Sequence, residues 1–332
     1  MNLESRWKRY WFTPESPQNL GACRIAFYAM MLWLFGAVPL GDWGDLSPAS
    51  SFWKPLWPFH VLHLPVAHAG LLTLMSAAWK ISLVTACLGL FTRTSTIVAF
   101  GLGAYFLALQ SSYLRAESAP MMLTPALAVM ALSYCGDACS LDALFRARRG
   151  KAPSPASGEY RWPVRAMWVM LSIVFFAAGF AKLHNSGLRW ATGNGFAILL
   201  MQRFYDPHPP LVNWGLFVAT HPILAKLSAG GALFTETCFP LVLFSRRARQ
   251  IFPPMGFGMQ CGIGLLMSVW FVHFFPIYVF FIPWGELLGR LHRTAAPPSQ
   301  LPRFPHDLTS PWPPSSLPPA RAIWQKCAAH GE

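Results

Sequence analysis

Residues 163–187 read PVRAMWVMLSIVFFAAGFAKLHNSG. Within this stretch the apolar run Val169 to Ala181, free of charged residues, ends on Lys182. With its flanks, from Pro163 to Ala181, it has the length needed to cross a hydrocarbon core, about 20 residues as a helix. Runs of the same kind recur on both sides of it: Leu20 to Leu40, Val66 to Phe91, Thr94 to Tyr113, Pro120 to Cys135 and Pro222 to Phe244. A last stretch, Ile251 to Leu288, is too long for one crossing and contains Phe275-Pro276. Split near His273, it supplies two more. The expected fold is an all-α polytopic transmembrane helix bundle of about eight spans.

Composition agrees. The chain has 332 residues, 54% of them hydrophobic and 15% aromatic, with only 12% charged. Soluble domains carry roughly 25% charged residues. The net charge of +13 would suit nucleic acid only if the basic residues lay on a soluble face. They fall between apolar runs instead, so nucleic acid is excluded as a partner and the lipid bilayer is the expected one. The charged start Arg6, Lys8, Arg9 leads into a long apolar run with no small-residue cleavage site. The first span is therefore expected to stay in the mature protein. Of the seven cysteines, Cys135 and Cys139 form a CxxxC at a helix end, read as packing in preference to thiol chemistry.

Basic residues in the loops set the orientation. With the N-terminus inside, the cytoplasmic side collects Arg6, Lys8, Arg9 and Arg93, then Arg146, Arg148, Arg149 and Lys151. It also takes Arg246, Arg247, Arg249, Arg290 and Arg293. The other side keeps chiefly Lys54, Arg115, Arg189 and Arg203. The expectation is a multi-pass protein of the inner (plasma) membrane, with both termini cytoplasmic. Residues 1–19 form a cytoplasmic N-terminal segment, 20–290 the bundle, and 291–332 a Pro-rich tail expected to be disordered. On the outer side, Gly41 to Pro65 holds Trp43, Trp53 and Trp57 as an aromatic belt, and Trp190 to Tyr205 reads as an interfacial helix.

Ionisable residues inside a span cost roughly 2.5–3.5 kcal/mol on insertion scales and need a reason to be there. Lys80 lies midway along the second span and Glu236 in the inner half of the sixth. Counted from the outer ends at about 1.5 Å per residue, their depths match at about 21 Å. The two are expected to pair, either as a structural ion pair or in handling protons or substrate. Lys182 falls where the fifth span meets the outer surface, and by position alone it is a snorkelling anchor. Polar neighbours that can gather at this mouth are His184, Asn185, Arg115, Glu117, Asp206 and His208. The histidines include no HExxH or other metal-binding spacing, so no metal is expected.

Several local patterns, in order, resemble one family. The start Trp7-Lys8-Arg9-Tyr10-Trp11-Phe12, with Pro14 and Arg24-Ile25, is similar to the HTTM group of membrane proteins. These proteins are related to the membrane region of vitamin K-dependent gamma-carboxylase. The exit Leu88-Gly89-Leu90-Phe91-Thr92-Arg93 resembles that group's glycine-arginine exit. The stretch Cys135-Gly136-Asp137-Ala138-Cys139-Ser140-Leu141-Asp142 looks like its Gly-Asp…Ser-Leu-Asp signature. The segment Ala178-Gly179-Phe180-Ala181-Lys182-Leu183, followed by Trp190 and Gly193, resembles the one holding the carboxylase's catalytic lysine. Glu236 before Pro240 and the exit Arg246-Arg247-Ala248-Arg249 also fit. The likeness spans about residues 5 to 290. DoxX-like membrane proteins share some of the glycine-arginine features and stand as an alternative.

The resemblance implies that Lys182 is a catalytic base towards a quinone or hydroquinone; Lys80, Glu236, His184, Trp190 and Glu117 are the expected binding residues around it. It also implies a lipophilic small molecule and a membrane or redox protein as partners. The departures limit this. Where the carboxylase has an asparagine-histidine pair, this chain has Glu117-Ser118-Ala119-Pro120. The spacing from lysine to tryptophan is longer, and only about forty Pro-rich residues follow the bundle in place of a large extramembrane domain. Gamma-glutamyl carboxylation is therefore not expected. Two readings remain: a membrane-embedded redox or proton-transfer enzyme, and a non-catalytic membrane subunit or small-molecule permease.

Overall fold

The computed structural model describes residues 3–45, 53–113, 122–205, 213–287 and 289. It divides into two compact units, Met1–Leu288 and Gly289–Glu332. The second contributes only Gly289 to the described residues, so the expected Pro-rich tail lies outside them, as do Glu117, Arg115, Asp206 and His208.

Among the described residues the regular elements are helices, with one isolated antiparallel bridge between Glu15 and Ser157. In chain order they are α1 (Leu3–Phe12), α2 (Pro17–Phe35), α3 (Trp57–Val61), α4 (Ala69–Leu88), α5 (Thr92–Tyr113), α6 (Leu123–Leu132) and α7 (Leu141–Arg148). There follow α8 (Trp162–Ser186), α9 (Arg189–Thr192), α10 (Gly195–Phe204), α11 (Trp214–Thr220), α12 (Pro222–Cys238), α13 (Arg246–Met267) and α14 (Phe275–Tyr278). Their starts are written in the sequence. Ser16, Ser140 and Ser245 accept backbone N–H bonds from Gln18, Ala143 and Ala248, capping α2, α7 and α13. Pro17 and Pro222 occupy first-turn positions, where a missing N–H costs nothing.

Three helical stretches are long and apolar enough to cross a bilayer: Ala69–Leu88, Thr92–Tyr113 and Gly158–Ser186. A fourth candidate is the pair Trp214–Thr220 and Pro222–Leu243, bent by 107° at the break. The shorter apolar stretches Leu123–Leu132, Gly195–Phe204 and Val272–Phe281 do not reach that length, so long helices alone do not make up the expected eight. The last two expected spans differ most from the sequence reading. α13 ends at Met267, where Ser268 adopts a left-handed conformation and Trp270 folds back onto Gly264. The return segment is a chain of short helical pieces, Val272–Phe274, α14 and Val279–Phe281. It runs antiparallel beside α2, with His273 against Phe35 and Gly285 bonded to Asn19. Side chains add bonds to its irregular backbone: Trp168 donates to Phe280 O and Trp284 to Val279 O, each at 2.9 Å, the latter carbonyl also accepting from Ile282 N.

The core lies where α2, α4, α5, α6 and α8 converge. Trp79, fully buried, stacks on Phe106 and donates to Ala99 O at 3.0 Å. Beside α8, Phe175 stacks on Phe239 at 4.3 Å between ring centroids.

Candidate functional site

α8 does not stop at Ala181. Nothing in the sequence breaks the helix before Gly187, which takes a positive φ of 55° and donates to Leu183 O at 2.8 Å. Lys182 is thus inside the helix, four residues before its last, and not at a frayed mouth. Three residues earlier on the same face is Gly179. A Cβ there would sit 2.9 Å from Thr237 Cγ2 and 3.0 Å from Glu236 Cβ. The missing side chain lets α8 and α12 approach closely at this level, and Lys182 then meets Glu236.

Lys182 Nζ donates to both carboxylate oxygens of Glu236 at 2.7 Å. The glutamate side chain is 6% exposed and the lysine 24%. The indole ring of Trp190, in α9, covers the ammonium at 5.5 Å from its centroid, within cation–π range. The indole N–H is buried and has no hydrogen-bond partner among the described residues. Trp190 also lines a cleft with Asn185, Ser186, Arg189, Gly193, Gly195, Leu199 and Gln202. One ring therefore separates the ion pair from an open groove of mixed polarity.

The expected pairing of Lys80 with Glu236 is overturned. Lys80 Nζ donates to Val38 O at 2.9 Å, just beyond the C-terminus of α2, where a cation also meets the negative end of the helix dipole. Matching depths would follow only if both helices stood upright from level outer ends. α12 instead packs against α9, α10 and α11 before it reaches α8, with Gly230 facing Ala191. Glu236 accordingly arrives at the level of Lys182. His184 is two residues from Lys182, hence round the helix from it; it is exposed, packs on Phe180 and lies 3.4 Å from Asn185 Oδ1. Of the expected site residues, Lys182, Glu236 and Trp190 come together. His184 lies beside them without touching the pair, and Lys80 stands apart.

The sequence profile of the HTTM domain family matches residues 12–282, most of the chain. The chain belongs to the HTTM domain family. No curated protein and no solved structure matches it.

In this HTTM protein the arginine, glycine and aspartate motifs of the resemblance meet at the end of the bundle opposite Lys182. Arg24, fully buried, donates through Nη2 to Cys139 O at 2.6 Å and through Nη1 to Cys135 O at 3.4 Å. Gly89 ends α4 with φ 70°, and a Cβ there would collide with the Arg24 guanidinium and with Ser140. Asp142 caps α5 from a different segment. It accepts from Phe91 N at 2.9 Å, and from both Thr92 N and Thr92 Oγ1 at 2.7 Å. Asp137 accepts from Tyr160 at 2.8 Å and pairs with Arg146 at 3.1 Å. Sequence reasoning noticed these residues without seeing that the glycine, arginine and aspartate motifs bind one another. The available signal was that each lies at the same end of an apolar run.

Proposed function

We propose that this HTTM protein is a membrane-embedded proton-transfer enzyme acting on a quinol-like lipophile, with the Lys182–Glu236 pair as its acid–base centre. The observation that carries this reading is the placement of a two-pronged lysine–carboxylate pair under one tryptophan at the wall of a groove. A carboxylate and an ammonium in contact can exchange one proton without changing the net charge of the site. Transfer from Lys182 to Glu236 leaves a neutral amine beside a neutral carboxyl. The amine then takes the phenolic proton of the quinol, the O–H bond breaks, and its electron pair stays on oxygen. Lys182 ends as an ammonium next to the anion it has created, which is electrostatic stabilisation where charge develops. The groove offers Trp190 and Leu199 to an apolar ring. Gamma-glutamyl carboxylation is not part of this proposal.

The proposed setting is the inner (plasma) membrane, with the basic end cytoplasmic and the groove on the opposite side. A second reading is favoured by the two-pronged pairing itself: a lysine bonded to both oxygens of one carboxylate also suits a static clamp in a non-catalytic membrane subunit or permease.

Purification in nanodiscs with mass spectrometry of co-purifying lipophiles separates the two. The enzyme reading expects a quinone or quinol on the native protein, lost on Lys182→Ala together with deprotonation of added quinol. Retention of quinone or quinol by a folded Lys182→Ala variant, with unchanged deprotonation, would sink Lys182 as the base and leave the clamp.

A further inference from the structure

A second cavity, of about 560 Å³, opens at the other end of the bundle from the lysine groove. It is walled by the start of α2, the start of α8, the start of α13 and the returning segment after Phe280. Four arginines line it: Arg161, Arg165, Arg246 and Arg249. The acidic residues in its wall are Glu15 and Glu286. The lining thus carries four positive charges against two negative ones.

Two of the guanidiniums, those of Arg165 and Arg249, lie against aromatic rings. Arg165, 7% exposed, lies 4.5 Å from the ring centroids of both Tyr10 and Trp168. Arg249 covers Trp168 at 4.8 Å. Arg165 Nη1 donates to Leu243 O at 3.5 Å and Arg249 Nη1 to Val242 O at 2.9 Å. Arg246 reaches Glu286 at 3.1 Å on the exposed rim. Each guanidinium has five N–H donors, and most of those on Arg165 and Arg249 have no acceptor among the described residues. Arg161 Nε is buried with no hydrogen-bond partner among the described residues. The rest of the wall is apolar, with Val164, Phe281 and Ile282. Crowded guanidiniums repel one another, and their planar, pre-set forks match phosphate oxygens.

We propose that this cavity is a binding site for the anionic phosphate of a phosphate ester, with Arg161, Arg165 and Arg249 as its donors. A phosphate accepts several charge-assisted hydrogen bonds at once and relieves the repulsion that the two carboxylates leave. Two sources share that chemistry, an anionic phospholipid headgroup and a free phosphate compound in the adjoining water. The apolar wall beside the arginines suits the glycerol and acyl part of a lipid, and basic pockets between membrane helices commonly hold such headgroups.

The test is native mass spectrometry of the full chain released from nanodiscs of phosphatidylcholine with and without phosphatidylglycerol. Inorganic phosphate is added in a parallel series. Arg161→Gln with Arg249→Gln is compared with Arg247→Gln, an exposed neighbour outside the lining. Retention of phosphatidylglycerol by the native chain and by Arg247→Gln is expected, with occupancy about tenfold lower in the double variant. Displacement by inorganic phosphate would assign the site to the phosphate itself, and resistance to it would assign the site to the whole lipid. Equal occupancy in all three chains, or neither lipid nor phosphate retained, would overturn the proposal. If the double variant aggregates, Arg249→Gln alone is read in the same way, since Arg249 is half-exposed at the rim.

Discussion

Two of the three hydrogen bonds that Asp142 accepts come from backbone N–H groups at the start of α5, which have no helical carbonyl behind them, and the third from the Thr92 hydroxyl. Burial pushes the Asp142 carboxyl up, but the bonds from Thr92 and Phe91 and the nearby Arg146 outweigh it, leaving the carboxyl below its ordinary value of 3.8. A depressed folded pKa means the carboxylate stabilises the fold above that ordinary value. The contribution is lost as the pH falls through the folded pKa. Asp142→Ala is expected to cost about 1–2 kcal/mol, and Asp142→Asn to abolish this share of the acid sensitivity while keeping part of the cap. Thermal melts in detergent at neutral pH and below the carboxylate range check both; a native-like acid profile for Asp142→Asn would remove the cap from the account. Gly89 belongs to the same scale. Its left-handed φ of 70° and its contact with Arg24 each exclude a Cβ. Gly89→Ala is expected to lower the melting temperature more than Gly101→Ala, since nothing lies near Gly101.

Between elements, the junction of α8 and α12 is a clamp whatever chemistry it performs. Removing one partner of a buried pair leaves an uncompensated charge and typically costs 3–5 kcal/mol, whereas removing both is far less damaging. Lys182→Met and Glu236→Gln are each expected to destabilise the protein strongly, and the double variant to recover most of the loss. A double-mutant cycle measured by melting would show the recovery as coupling between the two sites; strictly additive losses would mean the pair does not hold the helices together. This level also shows why the site was only partly legible. The long apolar runs predicted α4, α5 and α8 to within a few residues, because length and hydrophobicity are local properties. The partner of Glu236 depends on how α12 lies against α9, α10 and α11, and no local property records that. α8's extension past Lys182 was visible in principle, since the first helix breaker after Ala181 is Gly187. The segment after Met267 differs from a regular span in being built of short helical pieces, its backbone taking bonds from Trp168 of α8 and from Trp284 within the segment itself.

For the whole molecule, alternation of basic loops made a claim the geometry can be held to. The α4–α5 turn, the α6–α7 turn, the start of α8 and the α12–α13 turn gather around the start of α2. Arg24 bonds to Cys139 O, Asp142 caps α5, Glu15 bridges to Ser157 and Arg165 reaches Leu243 O. Arg93, Arg146, Arg148, Arg149, Arg246 and Arg249 therefore share one end, as the loop charges required. α9 and α10 follow the opposite end of α8, so Asn194 belongs to the far side. Cys139 is exposed at the basic end and Asn194 is exposed between α9 and α10. A membrane-impermeant maleimide is expected to label Cys139 in inverted vesicles and not in right-side-out ones, provided the basic end is cytoplasmic. In a chain where serine replaces all seven native cysteines, Asn194→Cys is expected to show the reverse pattern. Labelling of both positions from the same side would break the link between loop charge and fold, and would move the lysine groove to the side of the arginine cavity.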